Sequence, residues 1–85
     1  MLEDELSIRA YEIATTNSKI KDIDTMIAVL KMQDANETDI SKKNDINASI
    51  AYYKSEKVRL KKFIEDTKAE LLELIRFNAA QRKGN

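Results

Sequence analysis

Helix-breaking residues are almost absent from this chain, and their absence constrains the fold more than any other feature of the sequence. The 85 residues include no proline, and the single glycine is Gly84. Proline and glycine are the residues that most often end helices and form turns. A chain that lacks both over its first 83 positions can stay helical wherever its apolar residues recur at a helical spacing.

The first part of the chain repeats with the 3.5-residue period of a helix that packs along one seam. The first seam position is aliphatic throughout and the second is mixed: Leu6, Ile13, Ile20 and Ile27 fill the one, and Arg9, Thr16, Ile23 and Leu30 fill the other. This pattern predicts a first helix over about residues 3–33. Its C-terminal half should pack more tightly than its N-terminal half, where the seam is partly polar.

The segment QDANETD is the one turn that the sequence offers, and it predicts a connection over about residues 34–38. Asp34 and Glu37 have the spacing of a capping box, in which a side chain at the start of a helix bonds to the backbone three residues later. Asn36 and Thr38 are rival N-caps, because short polar side chains favour that position. Each of these side chains is a candidate for the first cap of the second helix.

The second helix is predicted over about residues 39–82, with a possible break at 41–45, where Asn44 or Asp45 could begin a new helix. Its seam again has a period of 3.5, with polar interruptions: Ile46, Ile50, Tyr53, Lys57, Leu60, Ile64, Thr67, Leu71, Leu74 and Asn78. Two such helices joined by a short turn predict a single all-α domain over residues 1–85. Its architecture should be an antiparallel helical hairpin.

A chain of this size buries too little surface to be stable with ease, and it has no cysteine for a disulfide bond. The segment LLELIRFNAA, residues 71–80, is apolar on nearly every side, which is typical of a buried helix. With a turn at 34–38 it should extend beyond the first helix. We therefore expect a homo-oligomeric helical bundle, larger than a dimer, whose interface includes Leu71, Leu72, Leu74, Ile75 and Phe77.

Composition excludes several classes of function. Without histidine or cysteine, the chain cannot form the common zinc sites or perform histidine- or thiol-based catalysis. It has no glycine-rich phosphate loop, so we expect no catalytic residue, no metal and no cofactor. A net charge of zero argues against duplex nucleic acid as a partner. The apolar runs are too short for a membrane span, and the acidic start is unlike a signal peptide, which predicts a cytoplasmic protein.

The balance of charge differs between the two halves of the chain. Residues 1–40 carry four basic and nine acidic side chains, whereas residues 41–85 carry eleven basic and six acidic ones. The basic run at 54–62 follows Tyr52 and Tyr53, and lysines beside aromatic rings can bind phosphates and stack bases. The same run is also typical of a solvated helix face that attracts the acidic first helix.

The polar stretch RAYEIATTNSKIK, residues 9–21, is a candidate binding site. Cations, amide donors and one aromatic ring suit a small anionic ligand that contains a base. The candidate ligand-binding side chains are Arg9, Tyr11, Asn17, Lys19 and Lys21. Polar seam residues can instead set the register of a coiled coil, or the helix end can splay into solvent. Because Tyr11 and Lys21 lie about 15 Å apart along one helix, a shared ligand would require a pocket between protomers.

This stretch resembles a family of phage proteins, the cyclic-oligonucleotide sponges that counteract CBASS immunity by sequestering its signal. Ala10-Tyr11 and Ile20-Lys21 are similar to two dipeptides of that family, and Asn17 has a rough counterpart. The resemblance implies a small all-α oligomer in the host cytoplasm, in which Tyr11 stacks on a base and Lys21 meets the phosphates. The closer spacing of Tyr11 and Lys21 and the missing C-terminal motifs depart from the family, so a second, trinucleotide-type site is not implied.

Two alternatives to a sponge stay open. The apolar C-terminal helix could make the protein a helical interaction module, or an inhibitor of a partner protein. Residues 20–30, IKDIDTMIAVL, also resemble the first helix of small all-α chorismate mutases. That family relies on arginines in this helix, and here the helix has Arg9 alone, so the catalytic residues of those enzymes do not carry over.

Overall fold

The structure, a computed structural model, describes the backbone of residues 2–83 and the side chains of residues 2–81. Two helices, α1 (Leu2–Asn36) and α2 (Ile40–Lys83), are joined by three residues. They run antiparallel and form a rod whose principal extents are 70 × 15 × 14 Å. The predicted all-α class and helical hairpin are therefore confirmed. Because a helix rises about 1.5 Å per residue, the 44 residues of α2 account for most of the length.

The turn is shorter than predicted and lies slightly later in the chain. It spans residues 37–39, because α1 continues to Asn36 and α2 begins at Ile40. Asp39 is the N-cap of α2: its Oδ1 accepts hydrogen bonds from the backbone N–H groups of Ser41, at 2.9 Å, and Lys42, at 3.3 Å. The caps predicted from the sequence, Asp34, Asn36 and Thr38, were wrong, because the capping carboxylate belongs to Asp39. Glu37 Oε1 accepts from the backbone N–H of Asp39 at 3.0 Å.

No break occurs at 41–45, and α2 is continuous through these residues. Asn44 and Asp45, the side chains that suggested a break, are exposed, and Lys43 and Asn47 close the hairpin. Lys43 Nζ donates to the backbone carbonyl of Asp34 at 2.7 Å and lies 3.3 Å from its carboxylate. Asn47 Nδ2 donates to the same carboxylate at 3.1 Å. Asp34 thus joins the end of α1 to the first two turns of α2, and Lys43 is a second donor to its carbonyl, which also accepts from the backbone N–H of Glu37 at 3.3 Å.

The N-cap can be tested by replacing Asp39 with alanine. Loss of the capping carboxylate leaves two backbone N–H groups of α2 without their partner, so we expect the free energy of unfolding to fall by about 1 kcal/mol. Urea denaturation followed by circular dichroism would measure it. Thr38→Ala is the matched control, since Thr38 is the rival cap and its side chain is exposed. An equal loss of stability in both variants would contradict the assignment of Asp39.

The hydrophobic core is narrow and lies along the facing seams of the two helices. Ile20, Leu60 and Ile64 form its central cluster, against which Ile13 and Ile23 pack. Two threonines are also buried in the seam, Thr16 at 6% exposure and Thr67 at 4%. The sequence had identified both as polar interruptions, and the structure packs them among aliphatic side chains. The interior positions thus follow the predicted seam closely.

The register of the two helices corrects one expectation about the C-terminal segment. Arg9 Nε lies 3.3 Å from Glu70 Oε2, so residues 71–77 run beside the first residues of α1 and do not extend beyond it. Leu71 and Leu74 are half-buried, whereas Leu72, Ile75 and Phe77 are exposed. The difference arises because the turn is short and α1 is longer than predicted at both ends. Only the last few residues of α2, from about 78, extend past Leu2.

Candidate anion-binding site

Four lysines converge on a groove between the middle of α1 and the middle of α2. Lys54, Lys57 and Lys61 come from α2, and Lys31 comes from α1. Lysines at 54, 57 and 61 share one side of α2, because residues three and seven apart lie close together on a helix surface. We call this site the lysine groove, and its volume is about 450 Å³.

The floor of the lysine groove is apolar and one of its lysines is already paired. Ile27, Ala28 and Val58 line it between the lysines. Lys57 is half-buried at the seam and forms an ion pair with Asp24, which also lines the groove. Lysine can extend its apolar stem along a core and keep its ammonium at the surface. Three ammonium groups around the groove are thus not matched by its one carboxylate.

The two tyrosines that precede the basic run do not share this groove. Tyr52 lies two residues before Lys54. Residues two positions apart in a helix are about 200° apart around its axis. The rings of Tyr52 and Tyr53 meet edge to face, with centroids 5.3 Å apart and planes at 85°. They line a second groove of about 310 Å³ on the other side of the hairpin, which we call the tyrosine groove.

The tyrosine groove carries balanced charge. Its cations are Lys19 and Arg59, and its carboxylates are Asp22 and Glu56. Arg59 donates to Glu56 Oε2 at 2.7 Å, and this hydrogen bond holds the pKa of Glu56 below its ordinary value. Any stability from this pair is therefore present at neutral pH and is lost as the pH falls through that lowered pKa. A balanced groove offers an anion less than the lysine groove does.

The structure disperses the five candidate side chains of residues 9–21. Arg9 lines a groove with Glu70, Glu73, Leu74 and Phe77. Its Nε is shielded from solvent, and although it lies 3.3 Å from Glu70 Oε2, the geometry does not make a hydrogen bond. An ion pair needs proximity more than alignment, so we treat the contact as an electrostatic one, worth about 0–1 kcal/mol at this exposure.

The other four candidates lie on the surface of α1. Tyr11 is 71% exposed, and Asn17, Lys19 and Lys21 are exposed as well. Lys19 lines the tyrosine groove. Lys21 follows Tyr11 by ten residues, which is about 15 Å along the axis, so one hairpin does not bring this pair onto a single small ligand. A pocket shared between protomers stays a prediction.

The lysine groove was missed at the level of sequence. The basic run at 54–62 was recognised, but Lys31 was not linked to it, because the pairing of α1 with α2 depends on a register that the sequence did not supply. The spacing of Lys54, Lys57 and Lys61 was the available signal, since it places three cations on one side of a helix.

Comparison with known proteins identifies no relative. No protein-family model matches the chain, and neither the curated proteins nor the solved structures contain a match. Over residues 2–83, no helix is both long enough and apolar enough to cross a membrane. In the same part of the chain, no three acidic side chains come together as a metal site. The grooves and the exposed surface are therefore the features that bear on function.

Proposed function

We propose that this protein is a non-enzymatic binding protein that captures small phosphate-bearing ligands in the lysine groove and withholds them from their receptors. The observation that supports this function best is the lining of the groove, which combines four lysines with one carboxylate and three apolar side chains. Lysine is a compact positive charge that commonly binds phosphate. The ligand class that we favour is the cyclic nucleotide signals that the resemblance of residues 10–11 and 20–21 implies.

The dimensions and chemistry of the groove suit such a ligand. Its volume of about 450 Å³ falls within the range of small-molecule sites, which is roughly 300–1,000 Å³. Its described lining offers lysines and aliphatic side chains but no aromatic ring. Binding should therefore depend on the number of phosphates more than on the identity of the base. It should also weaken as salt is added, because exposed charges are screened.

Sequestration requires no chemical step, which fits a chain without histidine or cysteine. A sponge needs affinity and abundance, and a small helical protein can supply both. The chorismate mutase alternative gains no support from the site, because Arg9 is held beside Glu70 at one end of the hairpin. We therefore assign no catalytic role to any residue.

Replacing Asp24 by asparagine should strengthen binding. Asp24 is the one carboxylate of the groove and it occupies Lys57, so its neutralisation frees a fourth ammonium for the ligand. We expect the affinity for a cyclic dinucleotide to rise about three- to tenfold, which corresponds to roughly 0.7–1.4 kcal/mol. Isothermal titration calorimetry with cyclic di- and trinucleotides at low salt would measure this change.

Asp45→Asn is the matched control for that experiment, because it changes the net charge equally on an exposed side chain of α2. Equal affinities in the two variants would show that bulk charge, and not the groove, controls binding. If no cyclic nucleotide binds the wild-type protein at micromolar concentration, the proposed function is wrong.

One observation favours the second candidate, a helical module that binds a partner protein. Leu72, Ile75 and Phe77 near the end of α2 are 51%, 45% and 63% exposed. Exposed apolar patches on small proteins commonly mark interaction sites. Two results together would favour this candidate. The protein would bind no nucleotide in calorimetry, and its apolar C-terminal side chains would become protected when a complex with a partner protein forms.

A further inference from the structure

One side of α1, turned away from the seam, is unusually poor in charge, although its Asp22 also lines the tyrosine groove beside α2. Ile8 lies two residues after Leu6, and Val29 lies two after Ile27, so each is about 200° around the helix from the seam. Alternating steps of three and four residues from Ile8 give a row of eight positions that ends at Met32. We call this row the outer stripe, and it consists of Ile8, Tyr11, Thr15, Ser18, Asp22, Thr25, Val29 and Met32. Its eight positions include a single charged residue, Asp22, in a chain that is 35% charged.

The two ends of the outer stripe are apolar and open to solvent. Ile8 is 55% exposed and Tyr11 is 71% exposed at one end, and Val29 is 44% and Met32 67% exposed at the other. By contrast, five apolar side chains are buried in the core of the hairpin over residues 2–81. In the single hairpin, the large apolar side chains exposed on this side of α1 are thus nearly as many as those buried between the helices.

The middle of the outer stripe is polar, but its threonine hydroxyls already have hydrogen-bond partners within α1. Thr15 Oγ1 donates to the backbone carbonyls of Tyr11, at 3.0 Å, and Glu12, at 3.1 Å. Thr25 Oγ1 donates to the carbonyl of Lys21 at 3.1 Å. A buried hydroxyl is costly when it has no partner. Since both hydroxyls are already paired within α1, their side chains can be covered by another helix at little cost.

The outer stripe is also symmetric about position 20 in the kind of residue at most of its positions. Ile8 and Met32 lie twelve residues on either side of position 20, and Tyr11 and Val29 lie nine residues on either side. The next pairs inward are Thr15 with Thr25, five residues away, and Ser18 with Asp22, two residues away. Apolar positions therefore mirror apolar ones and threonine mirrors threonine.

We infer that two copies of this chain pack α1 against α1 in antiparallel orientation, about a twofold axis at the level of Ile20. A twofold interface brings one patch onto the same patch of the partner, so it requires a self-complementary surface. Antiparallel pairing places Tyr11 of one copy against Val29 of the second copy, and Thr15 against Thr25. At the centre, the Ser18 hydroxyl of each copy faces the Asp22 carboxylate of the other, a donor opposite an acceptor.

The pairing forms a four-helix assembly and excludes the stacking role that the sponge resemblance implies for Tyr11, so it bears on the ligand class of the proposed function. From Ile8 to Met32 the outer stripe is about 36 Å long, which is enough for a continuous helix–helix contact. Lys54, Lys57 and Lys61 lie on α2, away from this contact, whereas Ala28 and Lys31, which also line the lysine groove, lie on α1 next to the outer stripe. Tyr11 is covered in this arrangement and does not stack on a ligand.

Cysteine cross-linking tests the orientation directly, because the chain has no cysteine of its own. A Thr15→Cys chain and a Thr25→Cys chain carrying different tags are mixed and oxidised gently. We expect the mixed disulfide dimer to form at least about tenfold faster than either homodimer. In an antiparallel pair, two copies of position 15 are ten residues, or about 15 Å, apart along the axis. Preferential homodimers would show parallel pairing, and the absence of any cross-link would also overturn the proposal.

Light scattering tests the surface separately. Val29→Glu places a charge in the outer stripe, so the measured mass should fall by about half at micromolar concentration, from that of two chains to that of one. Ala10→Glu is the control, since Ala10 is exposed on another side of α1, and it should leave the mass unchanged. A wild-type monomer, or a Val29→Glu variant that keeps the wild-type mass, would overturn the proposal. If this variant loses helicity in circular dichroism, the cross-linking result decides.

Discussion

Replacing Ile64 by alanine should lower the free energy of unfolding by about 3 kcal/mol, the typical loss when a buried isoleucine becomes alanine. Ile64 is 5% exposed and packs with Ile20 and Leu60 in the central cluster. Because this core is so narrow, little else can move in to fill the cavity. Urea denaturation at several protein concentrations would measure the loss and would separate folding from any association.

Phe63→Ala is the control for this substitution and removes more atoms from the neighbouring position. Phe63 is 40% exposed, so its loss from the hairpin should cost about 1 kcal/mol or less. A larger effect at Phe63 than at Ile64 would mean that the side of α2 carrying Phe63 is buried in the protein as it exists in solution. The predicted core of the hairpin would then be incomplete.

Neutralising Lys54 and Lys61 together should weaken the binding of a cyclic dinucleotide about 100-fold. Each lysine that contacts a phosphate contributes roughly 1.5 kcal/mol, or about tenfold in affinity. Lys57 is left in place because its ion pair with Asp24 also joins the two helices. The Lys54→Gln/Lys61→Gln double variant should therefore remain folded, and calorimetry would compare its dissociation constant with that of the wild type.

A charge-matched double variant distinguishes the groove from the net charge of the protein. Lys42→Gln/Lys62→Gln removes two charges from exposed positions of α2 that do not line the lysine groove. It should bind within about threefold of the wild type, since distant exposed charges are largely screened. If both double variants lose the same affinity, binding is a general electrostatic effect and the lysine groove is not the site.

The opposite charges of the two halves of the chain are used in the contacts between the helices. Among the residues whose side chains the structure describes, two of the three ion pairs between the helices join an acid of α1 to a lysine of α2, Asp34 with Lys43 and Asp24 with Lys57. Arg9 and Glu70 form the third pair in the reverse sense. Each pair is solvent-exposed in part and weak, so their joint effect concerns which residues face each other more than overall stability.

Much of the fold could be predicted because its signals are local. The lack of proline and internal glycine is a property of each helical segment by itself. The spacing of seam residues, such as Ile20 with Ile27 or Leu60 with Ile64, is also set within one helix. The helix ends were predicted to within three residues, but the N-cap was not. Several short polar side chains compete in the turn, and the choice of Asp39 depends on how Glu37 and Asp34 are already engaged.

The candidate site could be predicted only in part, because it depends on how the helices are aligned. The sequence places Tyr52 two residues from Lys54, but helical geometry turns them to opposite sides of the hairpin. It likewise separates Lys31 from Lys54 by 23 positions along the chain, whereas the structure brings both to one groove. The first result follows from the helical period of α2 alone. The second requires knowing which residues of α1 face which residues of α2.

What the sequence by itself determined is the number of helices, the seam that each one buries, and the exclusion of histidine- and thiol-based chemistry. These properties depend on residue type and on spacing within one helix. What only the tertiary structure decided is the register, and with it the lysine groove, the position of Arg9 and the side of α1 left uncovered. The physical reason is that a three-residue turn, closed by Asp34 with Lys43 and Asn47, aligns the helices, and a shift of a few residues would bring different side chains together.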